Sequence, residues 1–252
     1  MRKFVYTFIM IILMGVFSFS LFKIYSIQKE YKEGANTYDS FANEFVDDNQ
    51  GGNSNSGNNE EESEVPVQVN FDKLKASNPD VIGWIYNEGT VIDYPVVQGS
   101  DNEYYLHHLI TGKYNSSGTP FLDVNMKKDF SEKNNIIYAH HMKNGSMFSS
   151  ITKYKDINFY NEHKNMYLMT PDNNFRLEVF SAYITPADSD TYMRGFGEDE
   201  EFTNYIKKIT DLSLIKTDVN VTNKDNIISL STCSYEYENA RFIVHCKAVK
   251  IK

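Results

Sequence analysis

The stretch Asn226-Ile227-Ile228-Ser229-Leu230-Ser231-Thr232-Cys233, followed after a short polar loop by Arg241-Phe242-Ile243-Val244-His245-Cys246-Lys247-Ala248-Val249, decides the fold. Both runs are rich in β-branched and aromatic residues, and turn-forming residues lie between them, so they read as two strands of a hairpin. Period-2 alternation puts Cys246 on the same face as Phe242, Val244 and Ala248, which is the pattern of a buried structural cysteine. Cys233 differs, because it stands where its strand leaves the sheet. There its thiol can either pack into the core or face a cleft.

Working outward, further strands are expected at Val81–Tyr86, Val91–Val97, Ile136–Ala139, Met166–Thr170 and Phe175–Ile184. A short helix over Phe71–Ser77 should stop at Asn78-Pro79, since a residue before proline is pushed out of the helical region. Asn102–His108 reads as another short helix. Glu198–Leu212 carries Phe202, Tyr205, Ile206 and Ile209 at helical spacing, the mark of an amphipathic helix. Many short strands with a few helices predict a mainly β protein, a barrel with helical additions.

The N-terminus opens Met1-Arg2-Lys3 and then runs without a charge from Phe4 to Phe22, long enough to span a hydrocarbon core. Ser18-Phe19-Ser20 is a poor cleavage site, because Leu21-Phe22 continue the apolar run, and no cysteine follows to be lipidated. An uncleaved anchor over 1–24 is therefore expected. Counting Arg2 and Lys3 against Lys23, Lys29 and Lys32 leaves the orientation close to a tie. Residues 25–64 are expected to form a polar stalk and linker. Within them Gly51–Asn59 is Gly, Asn and Ser, and four glutamates follow over 60–64, with almost no apolar side chains to offset ordering entropy. The globular domain is then 65–252.

The chain has 252 residues and a net charge of −9, with no basic cluster, which argues against nucleic-acid binding. Two cysteines cannot build a disulfide framework. Six histidines are present, but no His/Cys cluster has metal-ligand spacing, so no metal site is expected.

A cysteine nucleophile needs a proton partner and an oxyanion donor. Asn134-Asn135-Ile136-Ile137-Tyr138-Ala139-His140-His141-Met142 is a strand ending in two histidines, of which only one can face Cys233. Arg241, at the start of the strand after the Cys233 loop, can return beside the thiol, and its permanent charge suits an oxyanion donor. Each of these residues alone also fits a solvated rim.

Taken together, Leu230-Ser231-Thr232-Cys233 with Arg241, and Ile137-Tyr138-Ala139-His140-His141-Met142 followed by Gly145-Ser146-Met147-Phe148, resemble the sortase signatures. The resemblance is to class B, the cysteine transpeptidases of Gram-positive bacteria. Asn78-Pro79-Asp80-Val81-Ile82-Gly83-Trp84-Ile85 and Asp101-Asn102-Glu103-Tyr104-Tyr105-Leu106 are similar to the start of that class's catalytic domain, and the likeness covers 71–252. It implies a closed barrel of about 7–8 strands, N-terminal helices and an extra helix before the last two strands. It implies Cys233 as nucleophile, His140 as the catalytic histidine and Arg241 as the catalytic arginine, with Ser231, Thr232, Asn102, Leu106 and Tyr192 along the substrate groove. Ala139 stands where the family usually has glycine, so a positive φ there would disturb the turn. The reaction implied is cleavage of exported proteins after the Thr of a sorting motif, NPQTN-like, LPXTG-like or another form, and transfer to a peptidoglycan amine, without a cofactor. The protein would sit in the cell membrane by a single span with its catalytic domain outside. A non-catalytic, membrane-tethered binding module explains the anchor and linker but not the three residues together. A cysteine hydrolase that releases peptides to water is a second alternative, distinguished by adding hydroxylamine or a wall-peptide amine, since only a transferase gives amine adducts.

Overall fold

The computed structural model describes residues 2–48 and 65–251. In chain order the elements are α1 (Arg2–Phe45), β1 (Val46–Asp48), β2 (Val67–Val69), α2 (Phe71–Ser77), β3 (Val81–Tyr86), β4 (Asp93–Val97), β5 (Phe121–Leu122), β6 (Asn134–Tyr138), α3 (Ile157–Glu162), β7 (Asn165–Met169), β8 (Asn174–Pro186), α4 (Asp199–Asp211), β9 (Ile227–Cys233) and β10 (Ala240–Ile251). Eight strands close into a barrel in the order β10-β8-β7-β3-β4-β5-β6-β9, and β1 and β2 form a separate antiparallel pair. This is the mainly β, closed-barrel architecture expected from the sequence.

Both faces of β10 are covered over residues 242–246, which is why that run is apolar except for His245. Phe242, Val244 and Cys246 join the barrel core, whereas Ile243 packs with Phe202, Tyr205, Ile206 and Ile209 of α4 in a second cluster outside it. The helical stripe read in Glu198–Leu212 is therefore the face that α4 buries.

Two expected elements are shorter than their sequences suggested. The strand expected from Val91 begins at Asp93, because Ile92 closes a turn: its carbonyl accepts from Asn87 N (2.8 Å) and its N–H donates to Thr90 Oγ1 (3.1 Å). Asn102–His108 yields one 3-10 turn, Tyr104–Leu106. Backbone bonds from Asn115 N to His107 O and from Leu109 N to Lys113 O take its continuation into a loop (both 2.9 Å).

The segment expected as a stalk is partly docked. α1 is long and apolar enough to cross a membrane in its first part, with none of that stretch buried. Its second part lies on the barrel, where Gly34, Tyr38 and Phe45 are buried. The Tyr38 ring meets Tyr94 edge to face at 5.2 Å, and Tyr31 and Phe41 pack against the core. An apolar contact every three or four residues holds this half of the helix down. The expected linker begins with β1, paired to β2, and its portion over 49–64 lies outside the described residues.

Candidate active site

Strand polarity brings three elements to one rim of the barrel. β6 runs parallel to β9 with Tyr138 opposite Ser231, so their C-terminal ends emerge side by side. β10 runs antiparallel to β9 with Arg241 opposite Cys233, so the start of β10 lies at that same rim. Neighbouring strands are about 4.8 Å apart, which leaves Cys233 flanked by the end of β6 and by Arg241. The register is held beyond the last strand residues: Ala139 N donates to Ser231 O (3.2 Å) and Thr232 Oγ1 donates to Ala139 O (2.7 Å). Ala139 is not among the non-glycine residues with positive φ, which are Phe130, Met147 and Asn239. An alanine therefore costs this turn nothing.

A groove of about 370 Å³ opens here, within the usual size range of ligand sites. Cys233, His140 and Arg241 line it together with Ser231, Thr232, Asn102, Leu106 and Tyr192, so the structure gathers every residue singled out from the sequence. Tyr138, from the stretch quoted ahead of His140, lines it as well, as do Phe121, Ala187 and Arg194, which no sequence signal marked. Behind them Asp123 is buried. One of its carboxylate oxygens meets Arg194 Nη1 (3.3 Å), and the other accepts from Tyr138 Oη (3.3 Å). A larger recess of about 670 Å³ beside α4 is lined by Asp190, Glu198, Glu200, Glu201 and Lys208 among others, and contains neither cysteine nor histidine.

His140 is half-buried, and its Nε2 lies 2.7 Å from the Leu106 carbonyl oxygen. A carbonyl can only accept, so Nε2 carries a proton and Nδ1 is the nitrogen able to take or release one. Burial pushes the imidazole below its ordinary value. The His107 ring, 6.2 Å away, adds to this, and the Leu106 bond works against it. His141 takes the other direction. Its Nδ1 donates to the Cys233 carbonyl (3.1 Å), and its ring contacts Tyr235 at 5.0 Å. The following segment closes onto the site, with Phe148 N donating to His140 O (2.9 Å).

Cys233 is partly exposed, whereas Cys246 is fully buried and burial pushes its thiol far up. Arg241 Nη1 donates to the Ala240 carbonyl (3.1 Å), a bond that steadies the guanidinium at the groove. Tyr192 Oη lies 2.9 Å from Ser231 Oγ; burial raises this phenol, while Ser231 and the nearby Arg241 oppose the rise. The arrangement presents a thiol, an imidazole and a guanidinium to one cleft, which suits acyl transfer through a covalent intermediate. Among the described residues no group of three His, Cys, Asp or Glu side chains is arranged to hold a metal ion.

Comparison with known proteins gives the following. The family model described as the sortase domain matches residues 85–249. Sortase B of Listeria monocytogenes is 33% identical over 241 residues, which is 95% of this chain and 94% of that protein. The structure of Staphylococcus aureus sortase B in complex with substrate is similar with a TM-score of 0.69 and 33% identity, covering 72% of this chain and 85% of that one. Sortase B from B. anthracis gives a TM-score of 0.74 at 32% identity, covering 89% of this chain and 100% of that one.

Proposed function

The chain belongs to the sortase family, in its class B, and is a sortase transpeptidase, and from that premise we propose that it anchors exported proteins to the cell wall through a thioester on Cys233. The observation that carries this reading is the convergence on one groove of Cys233 at the end of β9, Arg241 at the start of β10 and His140 just past the end of β6.

In the proposed reaction Sγ of Cys233 attacks the carbonyl carbon of the Thr in a sorting motif, and the thiol proton passes to Nδ1 of His140. A neutral imidazole is needed for that step, and the burial that disfavours the charged ring supports it. The developing oxyanion accepts a hydrogen bond from the Arg241 guanidinium. Such a donor acts most strongly in a groove with restricted water. His140 then gives its proton to the departing amine as the C–N bond breaks, leaving an acyl thioester on Cys233. A peptidoglycan precursor or cross-bridge amine attacks the thioester, His140 takes the amine's proton, and the new amide forms as the thiolate leaves and is reprotonated. Ser231, Thr232, Asn102, Leu106 and Tyr192 would hold the motif along the groove. The S. aureus relative solved with its substrate supports looking for a peptide at this place.

The apolar segment over 1–24 would anchor the enzyme in the cell membrane by a single span, with the domain over 65–252 outside. Its cargo and a lipid-linked wall precursor would then share one surface, which raises their effective concentration. The test is a panel of peptides carrying NPQTN-like and LPXTG-like motifs, read by mass spectrometry for an acyl adduct on Cys233, with and without an added amine. Trapped thioester and amine adducts are expected. Release to water alone, unchanged by the amine, would favour a hydrolase.

A further inference from the structure

The barrel-bound half of α1 rests on β4 through the Tyr38–Tyr94 contact and also on the loop between β4 and β5. Glu30 holds the loop twice: its carbonyl accepts from Asn115 Nδ2 (3.0 Å), and its carboxylate accepts from Ser116 N (2.7 Å). One turn further on, Gly34 permits close approach, since a Cβ there would lie 2.8 Å from Ser117 Oγ. One turn further again, the buried Tyr38 hydroxyl donates to the Gly118 carbonyl and lies 2.9 Å from Thr119 Oγ1.

Gly118 and Thr119 back directly onto Leu106. Gly118 has φ +60°, and a Cβ on it would stand 2.7 Å from the Leu106 carbonyl oxygen. Thr119 N donates to Tyr105 O (2.9 Å), and Thr119 Oγ1 donates to His108 O (2.8 Å). That Leu106 carbonyl is the acceptor for His140 Nε2. A contiguous set of bonds therefore runs from the helix, through the 105–119 loop, to the imidazole. The stretch 107–120 between the Tyr104–Leu106 turn and β5 contains no barrel strand, and such segments open more easily than sheet.

We propose that Tyr38 is a positioning residue for His140: by fixing Gly118 and Thr119 it sets the Leu106 carbonyl that selects the imidazole tautomer. The anchor helix thus belongs to the catalytic machinery rather than serving only as a tether. The proposal rests on His140 being the catalytic histidine. An error of about 1 Å in a catalytic group can cost about 10²-fold in rate, so even a small release of the loop should be measurable.

The test uses the full chain in detergent micelles, with ¹⁵N-labelled histidine and a peptide that the wild type cleaves. Tyr38→Phe keeps the ring and its contact with Tyr94 but removes the hydroxyl. It should move the His140 Nε2 resonance, assigned by its loss in His140→Ala. It should also lower kcat by about 10-fold, with less change in KM. The buried His245 resonance should stay in place. Thr119→Val, which removes the other hydroxyl, should act in the same direction and serves if Tyr38→Phe does not fold. An unmoved His140 resonance in both variants would overturn the proposal, whatever their stability, while leaving His140's catalytic role intact if His140→Ala is inactive. Wild-type turnover in His140→Ala would remove the underlying reading, and the proposal with it.

Discussion

His245 offers a quantitative test of how this barrel responds to acid. It is fully buried on β10, with Nδ1 2.7 Å from Ser229 Oγ and Nε2 3.1 Å from Tyr183 Oη. The Ser229 hydroxyl already donates to Asn134 Oδ1 (2.6 Å), so His245 Nδ1–H must be the donor toward Ser229, and Nε2 accepts from Tyr183. A second proton on the ring would displace the Tyr183 donor in a site without water contact. Burial accordingly brings the imidazole from 6.5 down to about 3. The folded value lies below the unfolded one, so the unfolded chain takes the proton first. Stability from this group is complete above pH of about 6.5 and drains as pH falls toward about 3. Linkage gives a loss of about 2 kcal/mol between pH 7.5 and pH 5, rising to about 4 kcal/mol near pH 3. Urea unfolding of the full chain in micelles, followed by the fluorescence of Trp84, reads this directly, because Trp84 is the one tryptophan and is fully buried. His245→Gln should be less stable at neutral pH yet lack the His245 component of the acid loss. Identical pH dependence in the two proteins, or a His245 resonance that titrates near pH 6, would refute the reasoning.

The remaining expectations concern the groove. Cys233→Ala should abolish both hydrolysis and transfer, whereas Cys246→Ala should keep turnover at a stability cost of about 1–2 kcal/mol for the core volume removed; equal losses of activity would mean that the nucleophile is misassigned. A methanethiosulfonate reagent should label Cys233 in the folded protein and leave Cys246 untouched until unfolding, as counted by mass spectrometry. His140→Ala should be inactive and His141→Ala should retain most activity in the peptide assay, since only His140 lines the groove; the reverse would exchange their roles. Arg241→Lys should lose about 10²-fold in kcat, because an ammonium does not reproduce the planar fork, and near-normal turnover would take Arg241 out of the oxyanion role.

Much of the barrel was legible because local pattern and tertiary burial agree. The face assignment of Cys246, the stripe Phe202, Tyr205, Ile206 and Ile209, and the stop of α2 before Pro79 all follow from periodicity and proline sterics. β5 did not follow, because two residues carry no period. Phe121–Leu122 is a strand only through its pairing with Val97 on one side and with Tyr138 and Ile137 on the other. Arg194 and Asp123 went unmarked for a similar reason, since their ion pair joins loops far apart in the chain. The docking of residues 30–45 was hidden because their polar side chains suit solvent. The residues that hold it down, Gly34 and Tyr38, are informative only once their partners Ser117 and Gly118 are in place.

The sequence alone determined which residues have the chemistry, a thiol, imidazoles and a guanidinium at strand ends, and that the first helix is apolar enough to enter a membrane, because side-chain type and local period are written in the chain itself. The tertiary structure decided which histidine shares the groove with Cys233 and which nitrogen it presents. It also turned a presumed tether into a support for the loop behind that histidine. Those outcomes depend on the parallel register of β6 with β9, the antiparallel register of β9 with β10, and a carbonyl brought in from residue Leu106. Such contacts exist only after distant segments have met, and no local pattern encodes them.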